Sequence, residues 1–323
     1  MVKLNIVDAL NLALKQEMEK DDSVVILGED VGLNGGVFRV TDGLYKKFKN
    51  RMIDTPLAES GIVGSAIGMA VYGLRPVAEI QFSGFTYPAF DQLISHASRI
   101  RNRSRGRFTC PLVVRTPYGG GIRALEHHSE SMEAIYVHTP GLKVVIPSNP
   151  SDAKGLLVSS IRDNDPVVFY EPKRIYRAIK EEVREEEYIV PIGKAKVTRE
   201  GSDVTVLTWG AHVRDCNSAA DEIKDNVSVE VIDLRTLCPV DKDTIIDSVK
   251  KTGRVVIVHE APRTSGFGAE LIAMINEYAL MSLEAPIKRV TGYDTVFPLY
   301  KLEKKYLPDV KKIVKAIEEV DKF

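Results

Sequence analysis

Short apolar segments alternate with helix-like segments along the chain, and this alternation constrains the fold more than any other feature. Residues 24–27 form an apolar run, and residues 6–18 before it carry apolar side chains at helical spacing after a plausible cap, Asn5. Strands and helices in regular succession indicate parallel sheets wrapped by helices. The remaining elements of the first half are predicted as strands over residues 76–81, 111–116, 143–146 and 166–170, and as helices over residues 60–73 and 88–101 and from Ser129 and Ser151.

The alternation resumes in the second half of the chain after a change in composition. Residues 171–200 are rich in Lys, Arg and Glu and include the run EEVREEE, which is typical of a surface linker. A chain of 323 residues is also long for one hydrophobic core. We therefore predict an α/β protein with two parallel-sheet domains, residues 1–180 and 201–323, joined by a charged linker, residues 181–200. The second domain is predicted to contain strands over residues 204–209, 228–232, 254–258 and 287–290, and helices over residues 213–223, 242–250 and 269–280.

Composition argues against several classes of protein. The formal net charge is −1, so no basic field favours nucleic acid. Cys110, Cys216 and Cys238 lack metal-ligand or redox spacing and are expected to be buried thiols in a reducing compartment. The most apolar stretch, residues 62–74, is shorter than the ~20 residues that span a bilayer, and the N-terminal residues have no signal character. We expect a cytoplasmic protein with no contact to membrane or nucleic acid.

The loops that follow strands are where chemistry is expected, because ligands of open parallel sheets bind at the carboxyl ends of the strands. The first such loop, DTPLAESG, places Glu59 at the start of an apolar helix. Beside Leu57, Ile62 and Val63 its carboxyl group would be partly desolvated, which suits proton sharing. The spacing also fits an ordinary acidic residue in a first helical turn, where the helix dipole favours it.

A second loop, QFSGFTYPAFDQ, gathers aromatic residues around a glycine. Phe82, Phe85 and Tyr87 surround Gly84 after a predicted strand, where a flat heterocycle could stack against a ring. Aromatic side chains in such a loop also commonly fill a core or an interface.

A third loop, YGGGIRALEHHSES, contains three glycines and a histidine pair. The glycines suggest a loop that moves or becomes ordered on binding. Ser129 is a good N-cap, which would place His128 just before a helix. The helix dipole would then disfavour the imidazolium form and leave a neutral ring able to exchange a proton. A histidine pair at a helix start can equally be exposed surface.

Several common catalytic motifs do not occur in the chain. It has no GxxxxGK[ST] phosphate loop, no complete GxGxxG, no GxSxG nucleophile elbow and no zincin pattern. The segment TSGFG at residues 264–268 lacks the third glycine and is explained by a tight loop before a helix. A dinucleotide-binding enzyme, a P-loop enzyme or a zinc hydrolase is therefore not indicated.

All three loops belong to a set of sequence motifs that resembles one known family over essentially the whole chain. In order, the chain contains LGEDVG, DTPLAESGIVGSAIGMA, AEIQFSGFTYPAFDQ, LEHHSES, HTPGLKVVIPSNP, RDNDPVVFYEPK, VEVIDLRTLCPVD and VVIVHEAPRTSGFGAEL. These strings resemble the β subunit of the thiamine-diphosphate-dependent decarboxylase component of pyruvate and branched-chain 2-oxoacid dehydrogenase complexes. The resemblance implies a pyrimidine-binding domain followed by a transketolase C-terminal-like domain. It also implies an acyl-transferring oxidoreductase that is active only as an α/β assembly.

The resemblance assigns roles to the loop residues. Glu59 is expected to hydrogen-bond the pyrimidine ring of thiamine diphosphate and to favour the tautomer that removes the thiazolium proton. Phe85 takes the position of the aromatic residue against the pyrimidine, with Tyr87 nearby. His128 matches the active-site histidine that handles a proton during decarboxylation and acyl transfer to lipoamide, and His127 has no such match.

Other implied features concern ions and proton transfer. Glu29 and Asp91 match acidic positions proposed to link two active sites. A potassium ion held by backbone carbonyls near Asp163 and Asp165 is a feature of the family. The chain contains no GDG segment, so the ligands of Mg²⁺ and of the diphosphate are expected on an α subunit.

The implied assembly is an α2β2 heterotetramer that passes acyl groups to a lipoyl-bearing acyltransferase core. The string IQFSGFTYPAFDQ at residues 80–92 favours branched-chain 2-oxoacids as substrate, with pyruvate as the alternative and an acetoin-cleaving subunit also open. Transketolase and deoxyxylulose-phosphate synthase share these domains, but their chains also contain the diphosphate-binding domain. A scaffold subunit without chemistry is the alternative from another class, and the joint presence of Glu59, Phe85 and His128 argues against it.

Overall fold

A computed structural model describes all residues, 1–323, and shows two α/β domains. The first half of the chain alternates strands and helices as predicted, with Asn5 accepting a hydrogen bond from the Asp8 N–H at the start of the first helix. Its strands are β1 (Val2–Leu4), β2 (Val24–Gly28), β3 (Met52–Asp54), β4 (Arg75–Glu79), β5 (Val113–Tyr118), β6 (Lys143–Val145), β7 (Val167–Pro172) and β8 (Glu181–Val183). Its helices are α1 (Ile6–Lys20), α2 (Leu44–Phe48), α3 (Glu59–Val71), α4 (Ile100–Arg103), α5 (Glu133–Val137) and α6 (Pro150–Arg162).

The second half contains the four strands and three helices that the apolar pattern predicts, and further short elements. Its strands are β9 (Lys196–Arg199), β10 (Val204–Thr208), β11 (Val229–Asp233), β12 (Thr236–Cys238), β13 (Val255–Val258) and β14 (Lys288–Val290). Its helices are α7 (His212–Ile223), α8 (Lys242–Thr252), α9 (Phe267–Ala279), α10 (Tyr300–Tyr306) and α11 (Val310–Asp321).

Each domain is built on one mainly parallel sheet. The first has the order β12-β6-β7-β5-β4-β2-β3, with only β12 antiparallel, and the second has the order β14-β13-β10-β11-β9, with only β9 antiparallel. Because β12 follows the second domain's β11 in sequence but pairs with β6, the chain returns to the first sheet from the second domain. The sheets are therefore tied together by backbone hydrogen bonds as well as by side chains.

The two domains also share a hydrophobic core. One cluster of 36 buried residues runs from the first sheet, for example Val114 and Tyr170, to α8 and α9 of the second domain, for example Ile245 and Leu271. Burial of an apolar interface of this kind disfavours independent movement of the domains. The sites on the two domains are thus held in a fixed relation.

The segment after β7 differs from the predicted surface linker. Glu171, the second-last residue of β7, is fully buried, and Tyr176 is buried as well. Val183 lies in β8, which pairs antiparallel with β1. The buried Lys154 ammonium then donates to three carbonyl oxygens at residues 184–186. Charged composition alone does not distinguish a free surface linker from one whose charges are paired and whose backbone is anchored.

Residues 88–101 do not form the single α-helix that the sequence predicts. Residues 83–89 form a 3₁₀ helix that contains Pro88, residues 92–96 form a π-helix, and α4 begins only at Ile100. Proline cannot donate the hydrogen bond that a regular helix requires, and π-helical turns accommodate an extra residue. The loop that contains Phe85 therefore continues into an irregular helix instead of a straight one.

Cys110 and Cys216 are buried and Cys238 is half-buried, and all three are free thiols.

None of the helices combines the length and the apolar character that a membrane crossing requires.

Candidate active site

A buried ion cluster forms the floor of the region where the predicted loops meet. Glu79, Arg115 and Glu171 lie on the neighbouring strands β4, β5 and β7. The Arg115 guanidinium donates to Glu79 Oε2 (2.7 Å) and to both oxygens of Glu171 (2.7 and 3.0 Å). Burial alone would lower the pKa of Arg115, but the carboxylates of Glu171 and Glu79 raise it. The cation is therefore fixed between two carboxylates at the end of the sheet.

An aromatic cluster lies beside this floor and includes the predicted histidine. The ring of His128 is 4.4 Å from that of Phe82 and 5.1 Å from that of Phe85 (centroid distances), both edge-to-face. Phe82 also packs against Phe38, whose ring contacts Tyr176 at 5.1 Å. Phe85 and His128, which are far apart in sequence, are thus brought into contact as the resemblance implies.

Gly84 allows the third loop to approach the second. A Cβ atom at position 84 would lie 2.2 Å from the carbonyl oxygen of His127, which no real side chain could tolerate. The Ser83 hydroxyl donates to the Glu130 carbonyl oxygen (2.6 Å), and the Gly119 N–H donates to the same oxygen (3.1 Å). These contacts hold the loop over Phe82 and Phe85.

The local structure around His128 differs from the prediction. Ser129 does not cap a helix: residues 126–128 form one 3₁₀ turn, and α5 begins at Glu133 after Met132. Contrary to the prediction, no helix begins at Ser129 whose dipole could act on His128. The Nδ1 atom of His128 is buried and has no hydrogen-bond partner. An orphaned ring nitrogen next to an aromatic wall fits a role toward a ligand, because buried polar atoms are normally paired.

Tyr87 and His127 form the outer edge of this cluster. Tyr87 is 46% exposed, and its ring lies 6.0 Å from that of His127. Burial of its hydroxyl, together with the neighbouring Glu130 carboxylate, raises the pKa of Tyr87 to about 12. The phenol therefore stays protonated and can act as a hydrogen-bond donor.

Glu59 is the first residue of α3 and is half-buried, whereas its neighbour Leu57 is 76% exposed. Two hydrogen bonds join its loop to the end of β2 and the loop that follows: the Thr55 N–H donates to the Gly28 carbonyl (3.0 Å), and the Gly32 N–H donates to the Asp54 side chain at Oδ1 (2.6 Å). The apolar surroundings predicted for Glu59 are thus only partly supplied by this chain.

Of the two acids predicted to relay protons, Glu29 lies close enough to Glu59 for the two charges to interact. Burial raises the pKa of Glu29, and the negative charges of Glu59 and Asp30 add to the effect. Asp91 is exposed, and its carboxylate lies 3.9 Å from the His96 ring. The relay stays a prediction.

Protein cations already contact the region predicted to hold potassium. Arg75 donates to the Asp163 carbonyl oxygen (3.0 Å), Lys143 donates to the Asp163 carboxylate (2.5 Å), and Arg101 pairs with Asp165 (2.7 Å). The potassium site also stays a prediction. No group of three or more His, Cys, Asp or Glu side chains is arranged to hold a metal ion.

A buried polar network at the domain interface was missed from the sequence. Lys173 donates to the Gly119 carbonyl oxygen, and Arg174 pairs with Asp215 (2.6 Å). Asp215 contacts His212 Nδ1 (3.0 Å), and His212 Nε2 contacts Glu260 (3.1 Å). The available signal was that Glu260 follows β13 and Lys173 follows β7, both at the carboxyl ends of strands where polar residues converge.

The fold is that of a transketolase-like pyrimidine-binding domain followed by a transketolase C-terminal-like domain. Residues 2–179 match the transketolase pyrimidine-binding domain family, and residues 193–313 match the transketolase C-terminal domain family. A solved structure described as a split-gene transketolase, an inactive β4 tetramer, superposes with a TM-score of 0.81 and covers 99% of this chain and 98% of its own. Sequence identity to it is 21%, so this likeness shows the fold alone.

Relatives of known name are much more similar in sequence. The pyruvate dehydrogenase E1 component subunit beta of Acholeplasma laidlawii is 55% identical, and the match covers 100% of this chain and 99% of that protein. The subunit of the same name from Staphylococcus aureus is 52% identical, with 100% of both chains covered. The chain belongs to the family of thiamine-diphosphate-dependent 2-oxoacid dehydrogenase β subunits, which confirms the predicted family and fold.

Proposed function

We propose that this chain is the β subunit of a pyruvate dehydrogenase and contributes the pyrimidine-binding half of an active site shared with an α subunit. The observation that carries the proposal is the incomplete surrounding of Glu59. The acid lies at the mouth of α3 next to Leu57, which is 76% exposed, while Phe85 and His128 are already packed together. A second subunit that covered Leu57 would enclose all three side chains in one site.

Substrate choice rests on the relatives. The proteins that are 52–55% identical over the whole chain carry the name pyruvate dehydrogenase. The preference for branched-chain 2-oxoacids that residues 80–92 suggested has no support among them, and the pyruvate alternative fits better. An acyl group derived from pyruvate would then pass to a lipoyl-bearing acyltransferase, the partner that the family implies.

The residues present fit thiamine diphosphate. Glu59 would exchange a proton with the pyrimidine ring, and Phe85 would pack against its face. His128, whose Nδ1 lacks a partner within the chain, would donate or accept a proton at the oxygen of the reacting carbonyl group. When bound, the cofactor supplies the nucleophilic carbon and the electron sink that decarboxylation of a 2-oxoacid requires. Mg²⁺ and the diphosphate would be held by the α subunit.

The proposal is tested by co-expressing the chain with its α subunit and measuring decarboxylation with thiamine diphosphate and Mg²⁺. We expect the pair to turn over pyruvate with a higher kcat/KM than a branched-chain 2-oxoacid, and the chain alone to show no turnover. Faster turnover of the branched-chain acid would contradict the substrate, and turnover by the isolated chain would contradict the shared site. A well-folded pair with no activity on any 2-oxoacid would favour a scaffold subunit.

A further inference from the structure

The histidine loop, defined here as residues 119–131, is closed by one carboxylate of the second domain. The Gly120 N–H and the Ser131 hydroxyl lie at opposite ends of the loop and donate to the same atom, Glu260 Oε1, at 2.9 and 2.8 Å. His128 lies between these two contacts. We infer that Glu260 is a positioning residue that holds His128 against Phe85. This inference rests on the proposed function for the role of His128 and goes beyond it by assigning a task to the second domain.

The charge of Glu260 is fixed by its surroundings. Its side chain is 5% exposed, and burial alone would raise its pKa, but the hydrogen bond and the charge of His212 lower the pKa to about 2. His212 is in turn bound to Asp215, and Asp215 to Arg174. Hydrogen bonds from N–H or O–H groups to an ionised acceptor are roughly twice as strong as those between neutral groups. A permanently ionised Glu260 is therefore a strong acceptor for both ends of the loop.

The three loop glycines fit this contact closely. A Cβ at position 119 would lie 2.1 Å from Glu260 Oε1, and one at position 120 would lie 2.4 Å from the Phe297 ring. A Cβ at position 121 would lie 2.3 Å from the Arg174 side chain. The glycines therefore allow side chains to approach the backbone, which is a reason for the GGG sequence distinct from loop mobility.

The space beside the contact would allow part of the loop to shift if the carboxylate were lost. A cavity of about 320 Å³ borders Glu260 and Ser131 and extends to Phe297 and Tyr306. The second domain also contacts the loop through Glu303, whose Oε2 accepts from the Arg123 N–H at 3.0 Å, and through Phe297, which packs against Gly120. Without Glu260 the Gly119 N–H would still bond the Glu130 carbonyl oxygen, but Gly120 and Ser131 would lose their shared acceptor and could shift toward the cavity. His128 would then leave the position that its contacts with Phe82 and Phe85 define.

The contact itself is tested by hydrogen exchange in the assembled α/β pair. Glu260→Ala is expected to speed exchange of amides in residues 119–131 by about tenfold or more, since it removes two hydrogen bonds to an ionised acceptor. Ser131→Ala removes one of these two hydrogen bonds at a half-buried position, so it should also speed exchange of the loop amides, by a smaller factor. Glu230→Ala is the matched control, because Glu230 is a buried acid of the same domain that binds Ser248 and Lys251 instead of the loop.

The role in positioning His128 is tested by a double-mutant cycle on pyruvate decarboxylation. Glu260→Ala should lower kcat by up to about 10²-fold, the size associated with a small misplacement of a reacting group. In a His128→Ala background the same change should have no further effect on kcat, because the residue acts through His128. Ser131→Ala should follow the same pattern with a smaller effect, and it serves if Glu260→Ala does not fold.

Two outcomes would overturn the inference. One is that amides of the histidine loop exchange at the wild-type rate in folded Glu260→Ala and Ser131→Ala pairs. The other is that Glu260→Ala lowers kcat by the same factor in the His128→Ala background as in the wild type. An inactive wild-type pair would instead refute the proposed function, and the exchange experiment would still test the contact.

Discussion

The floor and the rim of the candidate site are built in opposite ways. On the floor, Arg115 is 1% exposed and is bound by two carboxylates of its own chain. On the rim, Leu57 is 76% exposed, and Glu59 beside it is only half-buried. The floor is complete within one chain, whereas the rim presents an acid and an apolar side chain to the outside.

The contrast indicates which part of the site this chain can form alone. A buried network positions Phe82, Phe85 and His128 without outside help, so the histidine side of the site should exist in the isolated chain. Covering the apolar surface beside Glu59 with a second subunit would be favourable, because it removes that surface from water. It would also desolvate the Glu59 carboxylate. Changes to the floor should therefore reduce the stability of the chain, and changes to the rim should reduce assembly instead.

The largest effect on stability is expected at Arg115. Arg115→Met leaves the carboxylates of Glu79 and Glu171 buried without a cation, which should lower the free energy of unfolding by about 3–5 kcal/mol. Arg101→Met is the matched control, because the Arg101–Asp165 pair is half-exposed and should contribute less than about 1 kcal/mol. Urea unfolding of both variants measures the difference. Equal losses of stability in the two variants would show that the buried Arg115 cluster stabilises the chain no more than a surface ion pair does.

A second effect concerns the pH dependence of stability. Burial raises the pKa of Glu133 to about 7 from the ordinary 4.5, and the negative charge of Glu260 adds to this, while His212 opposes it. Because the folded protein keeps this proton after an unfolded chain has lost it, stability should fall as pH rises from about 4.5 to about 7, by about 3 kcal/mol. Glu133→Gln should remove this part of the dependence. Urea unfolding at pH 5 and pH 8 gives the change in the free energy of unfolding for each protein. An equal change in the wild type and in Glu133→Gln would contradict the account.

The third effect tests the close approach of the two loops. Gly84→Ala forces a methyl group against the His127 carbonyl, and overpacking of this kind costs about 1–3 kcal/mol. Gly68→Ala is the control, since no atom lies within 4 Å of a Cβ at that helical position and the change should be neutral or stabilising in the isolated chain. Thermal unfolding compares them. A Gly84→Ala protein as stable as the wild type would mean that the histidine loop is not held where the structure places it.

The smallest effect on stability is expected at the rim. Leu57→Asp should change the free energy of unfolding of the isolated chain by less than about 0.5 kcal/mol, because the side chain is already exposed. It should nevertheless weaken binding of the α subunit by burying a charge in the interface. Ile189→Asp is the control. Ile189 lies in the segment that connects the two domains and is 56% exposed, so the change should leave binding of the α subunit unchanged. Co-purification with a tagged α subunit measures both, and normal binding of Leu57→Asp would place the α subunit elsewhere.

The sequence predicted the regular parts of the fold well, for a physical reason. Buried parallel strands such as β2 and β10 are continuous apolar runs, and amphipathic helices such as α1 repeat with their own period. The order of strands was not readable, and β12, which crosses back to the first sheet, was not predicted at all. Pairing of this kind depends on contacts between distant residues that leave no local pattern.

The candidate site was predicted unevenly. The resemblance identified Glu59, Phe85 and His128 as residues of one site, and the structure brings Phe85 and His128 into contact. The predicted helix dipole at His128 was wrong because α5 begins at Glu133 and not near Ser129. Glu260 was missed because it lies far from the loop in sequence, and nothing next to Glu260 shows that the chain folds it against Gly120.

The most direct test of the central claim is the rate of pyruvate decarboxylation by the assembled pair with wild-type chain and with Glu59→Gln. Glu182→Gln, an exposed acid on β8, is the control for loss of one charge. If Glu59 exchanges a proton with the pyrimidine ring, Glu59→Gln should lower kcat by about 10²-fold or more while the pair still assembles, and the control should keep the wild-type rate. An assembled Glu59→Gln pair with the wild-type rate would contradict the claim that this loop contributes the acid of a shared active site.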